Sequence, residues 1–410
     1  VTVVATCVAI RALHRELRTP SGATRAPVVS TPGGRPESLP PTLSVPEDLP
    51  VAPGVPHVLH GDAQRSHRAH GHLPARAEVA WTFKADGAIE GQVVASPDEA
   101  TLYVATLGGT LWALDRVGHP RFHVPLGGRA YATPAVGPDG TVFVGSDGGA
   151  FFAVSPAGSV AWRLETHGGD ADTSALLLDD GLVVFAAGSR VYGVRPGGVV
   201  AFRFQAKGKV FTAPALTRGG GGREPRIIVG SQDDHVYALT TAGALAWATD
   251  LGSDVDGAPA VGDDGGIYVG TDRGEVVRLE DDGRVAWRAR VDGFVRGTLS
   301  VTRGGDVLAG VFGPSPRLAR LSPGGELLGA YPIRGNGTGE TGVLGGALED
   351  DDGALAFGGD DGAVHVVGRD GQLRWEYDAG ADVDAPVTLL GDGSLVAATY
   401  DGEVIALRSP

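Results

Sequence analysis

Residues 142–162 read VFVGSDGGAFFAVSPAGSVAW, and the same arrangement returns as IIVGSQDDHVYALTTAGALAW at 227–247 and as IYVGTDRGEVVRLEDDGRVAW at 267–287. Each copy holds a β-branched run, an acidic or glycine turn, a second alternating run, another glycine turn and a strand that ends in an aromatic. Ahead of each lies a run of small residues and proline: ATPAVG at 132–137, TAPALT at 212–217 and GAPAVG at 257–262. Asp-Gly and Gly-Gly steps supply the positive φ that tight hairpins need, so each unit is predicted to be four short antiparallel strands. No segment sustains a helical period.

Outward from these copies, a closing aromatic recurs at Trp81, Phe122, Trp162, Phe202, Trp247, Trp287, Tyr331 and Trp375, with spacings of 41, 40, 40, 45, 40, 44 and 44 residues. Such a period marks stacked repeats, and a lone four-stranded unit would leave apolar faces uncovered, so neighbours must pack around an axis. The strand count closes the ring. EVAWTF at 78–83 is a fourth-type strand with no three before it, whereas 384–407 holds three strands, DAPVTLL, SLVAATY and EVIALR, with no fourth. Joined, they predict an all-β, eight-bladed β-propeller over 78–410, its last blade completed by the N-terminal strand 78–83 and no sheet edge left open within the ring. The chain is expected to act as a monomer.

Three segments precede the ring. Residues 57–77 form a strap in which His57, His60, His67, His70 and His72 cluster; lacking a fixed spacing or a Cys partner they are expected to be solvated and to hold no metal. Residues 20–56 carry ten of the 27 prolines and are expected to be a disordered linker. Residues 1–19 open with VTVVATCVAI and read as the remnant of a signal or anchor segment, with lipidation at Cys7 and a plain N-terminus as the two alternatives.

The net charge is −15, and residues 1–80 hold eight basic against six acidic residues, so residues 81–410 carry 26 basic and 43 acidic residues, or −17. An acidic surface repels phosphate backbones and anionic lipid, which argues against nucleic acid and against membrane insertion by the ring. It favours a protein partner with a basic segment or patch, or a cation. Cys7 is the single cysteine, so neither a disulfide framework nor a cysteine zinc site exists within the chain. No nucleophile elbow or phosphate-binding loop appears.

The most informative column is the residue that opens each inner strand, at the mouth of the axial channel: Glu90, Tyr131, Asp172, Phe211, Asp256, Arg296, Glu340 and Asp384. Five carboxylates are expected to converge there, with Asp170, Asp254 and Asp382 beside them and Lys207 and Lys209 of opposite sign. The run Glu349-Asp350-Asp351-Asp352-Gly353 reads as a solvated hairpin turn.

The repeats quoted above resemble those of the pyrroloquinoline-quinone (PQQ) propeller family, over roughly residues 57–410. That family holds quinoprotein dehydrogenases and the non-catalytic lipoprotein of the bacterial outer-membrane β-barrel assembly machinery. The resemblance implies an eight-bladed ring in which the closing aromatics are structural, and a cell-envelope location, periplasmic or secreted, with a tether at the N-terminus. One departure is the turn Ala113-Leu114-Asp115-Arg116-Val117-Gly118, which lacks the family's Thr and is one residue shorter. For a dehydrogenase the resemblance implies a vicinal disulfide, a Trp beneath the cofactor and Glu, Asn and Asp around a calcium ion. With Cys7 alone and Asn336 the single Asn, those parts are missing. The expectation is therefore a non-catalytic binding scaffold without PQQ, a divalent cation such as calcium at the mouth being the one cofactor kept in view. The alternative is a propeller enzyme in the axial funnel, either a divergent PQQ dehydrogenase or a metal-dependent hydrolase or lyase.

Overall fold

The computed structural model describes residues 57–410 except 168, 220–223 and 338; the leader, the proline-rich linker and Cys7 lie outside the described residues. Strands fall into eight four-stranded antiparallel sheets, and seven of them take consecutive strands from inside to outside. The eighth takes Thr388–Leu389, Leu395–Ala398 and Glu403–Arg408 and then the strand Glu78–Lys84 from the other end of the ring. The register pairs Glu78 with Arg408 and Lys84 with Glu403, with an irregularity between Val79 and Trp81. The ring is thus closed by chain segments more than three hundred residues apart.

Middle strands such as Val183–Ala187 and Ala150–Val154 are buried at every position, because both faces of a blade meet neighbouring blades. Outer strands alternate instead, as in VAWRLE at 160–165, with Trp162 turned inward and Arg163 outward. Inner strands are only two residues long. The closing aromatic of one blade sits on the glycine turn of the next. A Cβ on Gly118 would lie 2.5 Å from Trp81, on Gly158 2.8 Å from Phe122, on Gly243 2.2 Å from Phe202 and on Gly283 2.6 Å from Trp247. Those turns adopt φ near +84°, so they need glycine twice over, for conformation and for space. Trp162 and Trp287 dock likewise on Gly198 and Gly325. Trp375 precedes the closing blade, where no such turn exists, and its indole N–H donates to the Pro74 carbonyl at 2.7 Å. Tyr331 packs on Phe357 and His365, both at 5.6 Å.

The strap departs from its expected solvated state. Leu59, His60, Arg65 and His67 are all buried, and of the five histidines only His70 and His72 extend into solvent. The segment lies against the inner strands and bonds to residues of every blade. His57 bridges Val136; the Ala63, Gln64 and Ser66 carbonyls accept from the amides of Leu216, Val261 and Val301; the Ala69 amide donates to Glu349 O. The His60 amide donates to Gln92 Oε1 at 2.9 Å, Arg65 reaches the Ala175 and Pro214 carbonyls, and His67 Nε2 lies 3.1 Å from Val387 O. The inward carbonyls and amides of these blades would otherwise be unpaired, and this demand outweighs the preference of a polar segment for water.

The acidic run at 349–353 also differs from a solvated turn. Glu349 and Asp350 are buried, and Asp350 Oδ2 and Asp351 Oδ2 accept the Leu73 and Gly71 amides at 3.0 and 2.7 Å. Arg303 donates to the Asp350 carbonyl at 2.8 Å and to Asp351 Oδ1 at 2.9 Å. These carboxylates fasten the strap to the seventh blade.

Candidate functional site

Each inner strand is preceded by an extended segment in which a buried residue is followed, in seven blades, by a half-exposed one; in the eighth the following residue, Asp384, is itself buried. Ile89, Ala130, Ala171, Val210, Val255, Val295, Val343 and Val383 are buried. Several are clamped on a glycine of the neighbouring blade: an added Cβ on Gly230 would lie 2.4 Å from Val255, on Gly270 2.3 Å from Val295 and on Gly358 2.3 Å from Val383. Because successive side chains alternate in an extended segment, pinning one residue sets the direction of the next.

The residues following these anchors are Glu90, Tyr131, Asp172, Phe211, Asp256, Arg296, Leu344 and Asp384, each four positions ahead of the first residue of its inner strand. Seven coincide with the column read from the sequence. In the seventh blade Glu340 stands eight positions ahead of Leu348 and is exposed on the connecting loop, and Leu344 occupies the register position. Four carboxylates therefore belong to the column. Over the first five blades acids alternate with rings, as Glu90, Tyr131, Asp172, Phe211 and Asp256, and Arg296, Leu344 and Asp384 follow.

Burial dominates the electrostatics. The Asp172 carboxyl is pushed up to about 7, first by loss of solvent and then by Asp170 and Asp147; its Oδ1 is buried without a hydrogen-bond partner among the described residues. Asp256 is pushed up to about 6 by burial and by Asp272, and Gln232 Nε2 donates to its Oδ1 at 3.2 Å. Asp254 rises to about 6 through burial and its hydrogen bond with Asp234. Arg296 is engaged by Asp272 in a fork, at 2.9 and 3.0 Å, while its guanidinium lies 4.7 Å from the Phe294 ring centroid. Lys209 Nζ stands 5.5 Å from the Phe211 centroid and 3.9 Å from Asp170. Arg129 donates to the Tyr131 hydroxyl at 3.4 Å. The protein's own cations thus already use the aromatic and carboxylate surfaces of the mouth, which is the chemistry that a basic side chain requires.

A raised carboxyl has a definite consequence for stability. Above pH 7 the folded state holds Asp172 ionised at a cost that the unfolded chain does not bear, so Asp172→Asn is expected to stabilise the ring at pH 8. The gain is roughly 2 kcal/mol after discounting for partial exposure. It should fade as pH falls from 7 towards 4 and vanish below about 4, where both states carry the neutral acid. Urea melts at pH 4 and pH 8 measure the difference, and equal stabilities at pH 8 would contradict the strained carboxylate.

Comparison with known proteins follows this geometry. A family model described as "Outer membrane protein assembly factor BamB" matches residues 71–224 and 232–310. Among solved structures, BamB from Moraxella catarrhalis aligns with a TM-score of 0.63 at 19% identity, covering 81% of this chain and 98% of that one. Quinohemoprotein alcohol dehydrogenase from Comamonas testosteroni aligns with a TM-score of 0.68 at 13% identity, covering 88% of this chain and 82% of that one. At these identities both likenesses concern the fold. No curated protein matches the chain.

Proposed function

The chain belongs to the family of the outer membrane protein assembly factor BamB, and from that premise we propose that it is a non-catalytic interaction propeller of the bacterial cell envelope, receiving a basic segment of a protein partner at its acidic channel mouth. The observation that carries the reading is Asp172: a largely buried carboxylate with an oxygen left unpaired, beside Phe211 and within the same column as Asp256. A guanidinium or ammonium group entering there would supply the missing donor and offset the repulsion among Asp147, Asp170 and Asp172.

The dehydrogenase reading meets residues that do not suit its cofactor. All six tryptophans lie on third or outermost strands, none at the channel mouth. Asn336 lies exposed on the loop after Tyr331, its amide donating to Thr341. The buried Arg65, the one cation of the strap's interior among the described residues, already spends its donors on the Leu59, Ala175 and Pro214 carbonyls. A tri-anionic quinone would in addition face Asp172 and Asp256.

The test is calorimetric titration of the full chain with an arginine-rich peptide at low salt, against Asp172→Asn/Asp256→Asn. The expected result is an affinity for the wild type that falls at least about tenfold in the double variant and declines with salt. Since the first substitution is expected to stabilise the fold, loss of binding is not loss of structure. Unchanged affinity would discard the mouth as the binding surface, and tight binding of PQQ with calcium would favour the enzyme reading. Calcium added alone shows whether a divalent cation competes for the same carboxylates.

A further inference from the structure

The strap holds two imidazoles in an arrangement unusual for titratable groups. His60 and His67 are stacked face to face, centroids 4.0 Å apart and planes inclined by 6°, with exposures of 0% and 2%. His60 Nε2 lies 3.0 Å from both Gly345 O and Thr298 Oγ1, and its Nδ1 lies 3.3 Å from the Arg65 carbonyl. His67 Nε2 lies 3.1 Å from Val387 O, while its Nδ1 is buried without a partner. A carbonyl accepts only, so His67 donates from Nε2 and leaves Nδ1 as a dry, bare acceptor. His60, Arg65 and His67 also all take left-handed φ of 58–59°, a conformation that non-glycine residues hold only when their surroundings impose it.

From this geometry we infer that residues 57–73 form an acid-released latch: protonation of the stacked His60–His67 pair expels the strap from the propeller axis while the ring itself stays closed. Two stacked imidazoles in a dry site cannot both carry charge, and a third positive group, the Arg65 guanidinium, already sits among them. The charged groups facing the pair are Arg65, which opposes protonation, and Asp62, which favours it; Asp62 is occupied by the Ser66 amide and hydroxyl. From the blades the pair meets the neutral side chains of Gln92 and Thr298 and the carbonyls of Gly345 and Val387. Burial outweighs the favourable carbonyls, holding His60 at about 4 and His67 well below its ordinary range. The released strap titrates normally, so acid favours release, from below about pH 6.5 downward. Ring closure is independent of this segment, since it rests on the strand Glu78–Lys84. The strap carries no sheet strand and is held by hydrogen bonds, bridges and three apolar side chains, Val58, Leu59 and Leu73, buried against the blades, so that it can act as a separate two-state element.

The experiment is amide hydrogen exchange on the full chain at pH 7.5 and pH 5, corrected for the intrinsic rate. It follows the amides of Gly61, Arg65, His67 and Ala69, which are all hydrogen-bonded in the docked strap, against those of the middle blade strand Thr101–Ala105. Strap protection should fall about 30-fold at pH 5 from His60 alone, with His67 adding in the same direction, while the blade amides hold their protection. His67→Gln, which keeps a donor for Val387 O and cannot be protonated, should blunt the change. Strap protection that is unchanged at pH 5, or that falls only together with the blade amides, overturns the latch. Should the variant fail to fold, the wild-type comparison of strap with blade decides alone. The mouth carboxylates shift the stability of the ring in the opposite sense, which is why strap and blade are read separately.

Discussion

Deleting residues 78–84 is expected to abolish the cooperative melt of the ring rather than to lower it slightly. The strand pairs along its length with Glu403–Arg408, so its loss strips the eighth blade to three strands and exposes a row of unpaired backbone groups. Its side chains also hold two blades together. Trp81 and Phe83 pack against the buried cluster that includes Leu114, Val396, Val404 and Ala406, Trp81 covers Gly118 of the first blade, and Phe83 meets Trp112 edge to face at 5.3 Å. Removing two aromatics from such a seam, together with the pairing, costs more than about 5 kcal/mol, which is the whole stability of many domains. A closed ring shares that loss among all blades, because opening one junction releases the constraint on the others. Calorimetry of the deletion should show no sharp transition near the parent temperature, and a synthetic peptide spanning 76–85 should restore part of it. A deletion that melts with the parent would mean that the ring does not depend on this closure. Trp81→Ala, at about 3 kcal/mol, provides the graded version.

What could be read in advance, and what could not, follows from how local each determinant is. Blade number and closure were legible because hairpin glycines, alternating strands and the closing aromatic are each written within about 40 residues and repeated. The column at the mouth was legible for seven blades by the same count. It slipped at Glu340 because the connection from Tyr331 to Leu348 is longer than that from Trp287 to Ser300, 17 residues against 13, and nothing local marks which four are extra. The strap was legible as a segment ahead of the ring, but its burial was not. His60, Arg65 and His67 are polar residues in an irregular segment, and only the carbonyls of distant blades, from Ala175 to Val387, make their burial favourable. Asp350 misled for the same reason: its carboxylate closes a hairpin, as such residues do, yet one oxygen is reserved for the Leu73 amide, 277 positions away.

Arg65 is the residue on which this axial arrangement most depends, and Arg65→Met is expected to destabilise the protein by about 3–5 kcal/mol at neutral pH. Its guanidinium is fully buried and donates to three main-chain carbonyls: Leu59 O at 2.9 Å from within the strap, Ala175 O at 2.9 Å from the third blade and Pro214 O at 3.0 Å from the fourth. Burial lowers its proton affinity, to about 10, but leaves it charged at every physiological pH. Methionine fills much of the same volume and removes the cost of burying the charge, so the loss is not a cavity effect. What it cannot supply is donors, and three carbonyls are then left dry at the centre of the ring. Arg65→Lys should fare little better, because a single ammonium cannot reach three acceptors set around a planar fork. Urea melts of the two variants at pH 7.5 measure this directly. Both should lose stability by amounts that change little between pH 6.5 and pH 8, a range over which the guanidinium does not titrate. A methionine variant as stable as the parent would show that the strap is carried by its backbone bridges alone, and that the charge at the axis is incidental to the fold.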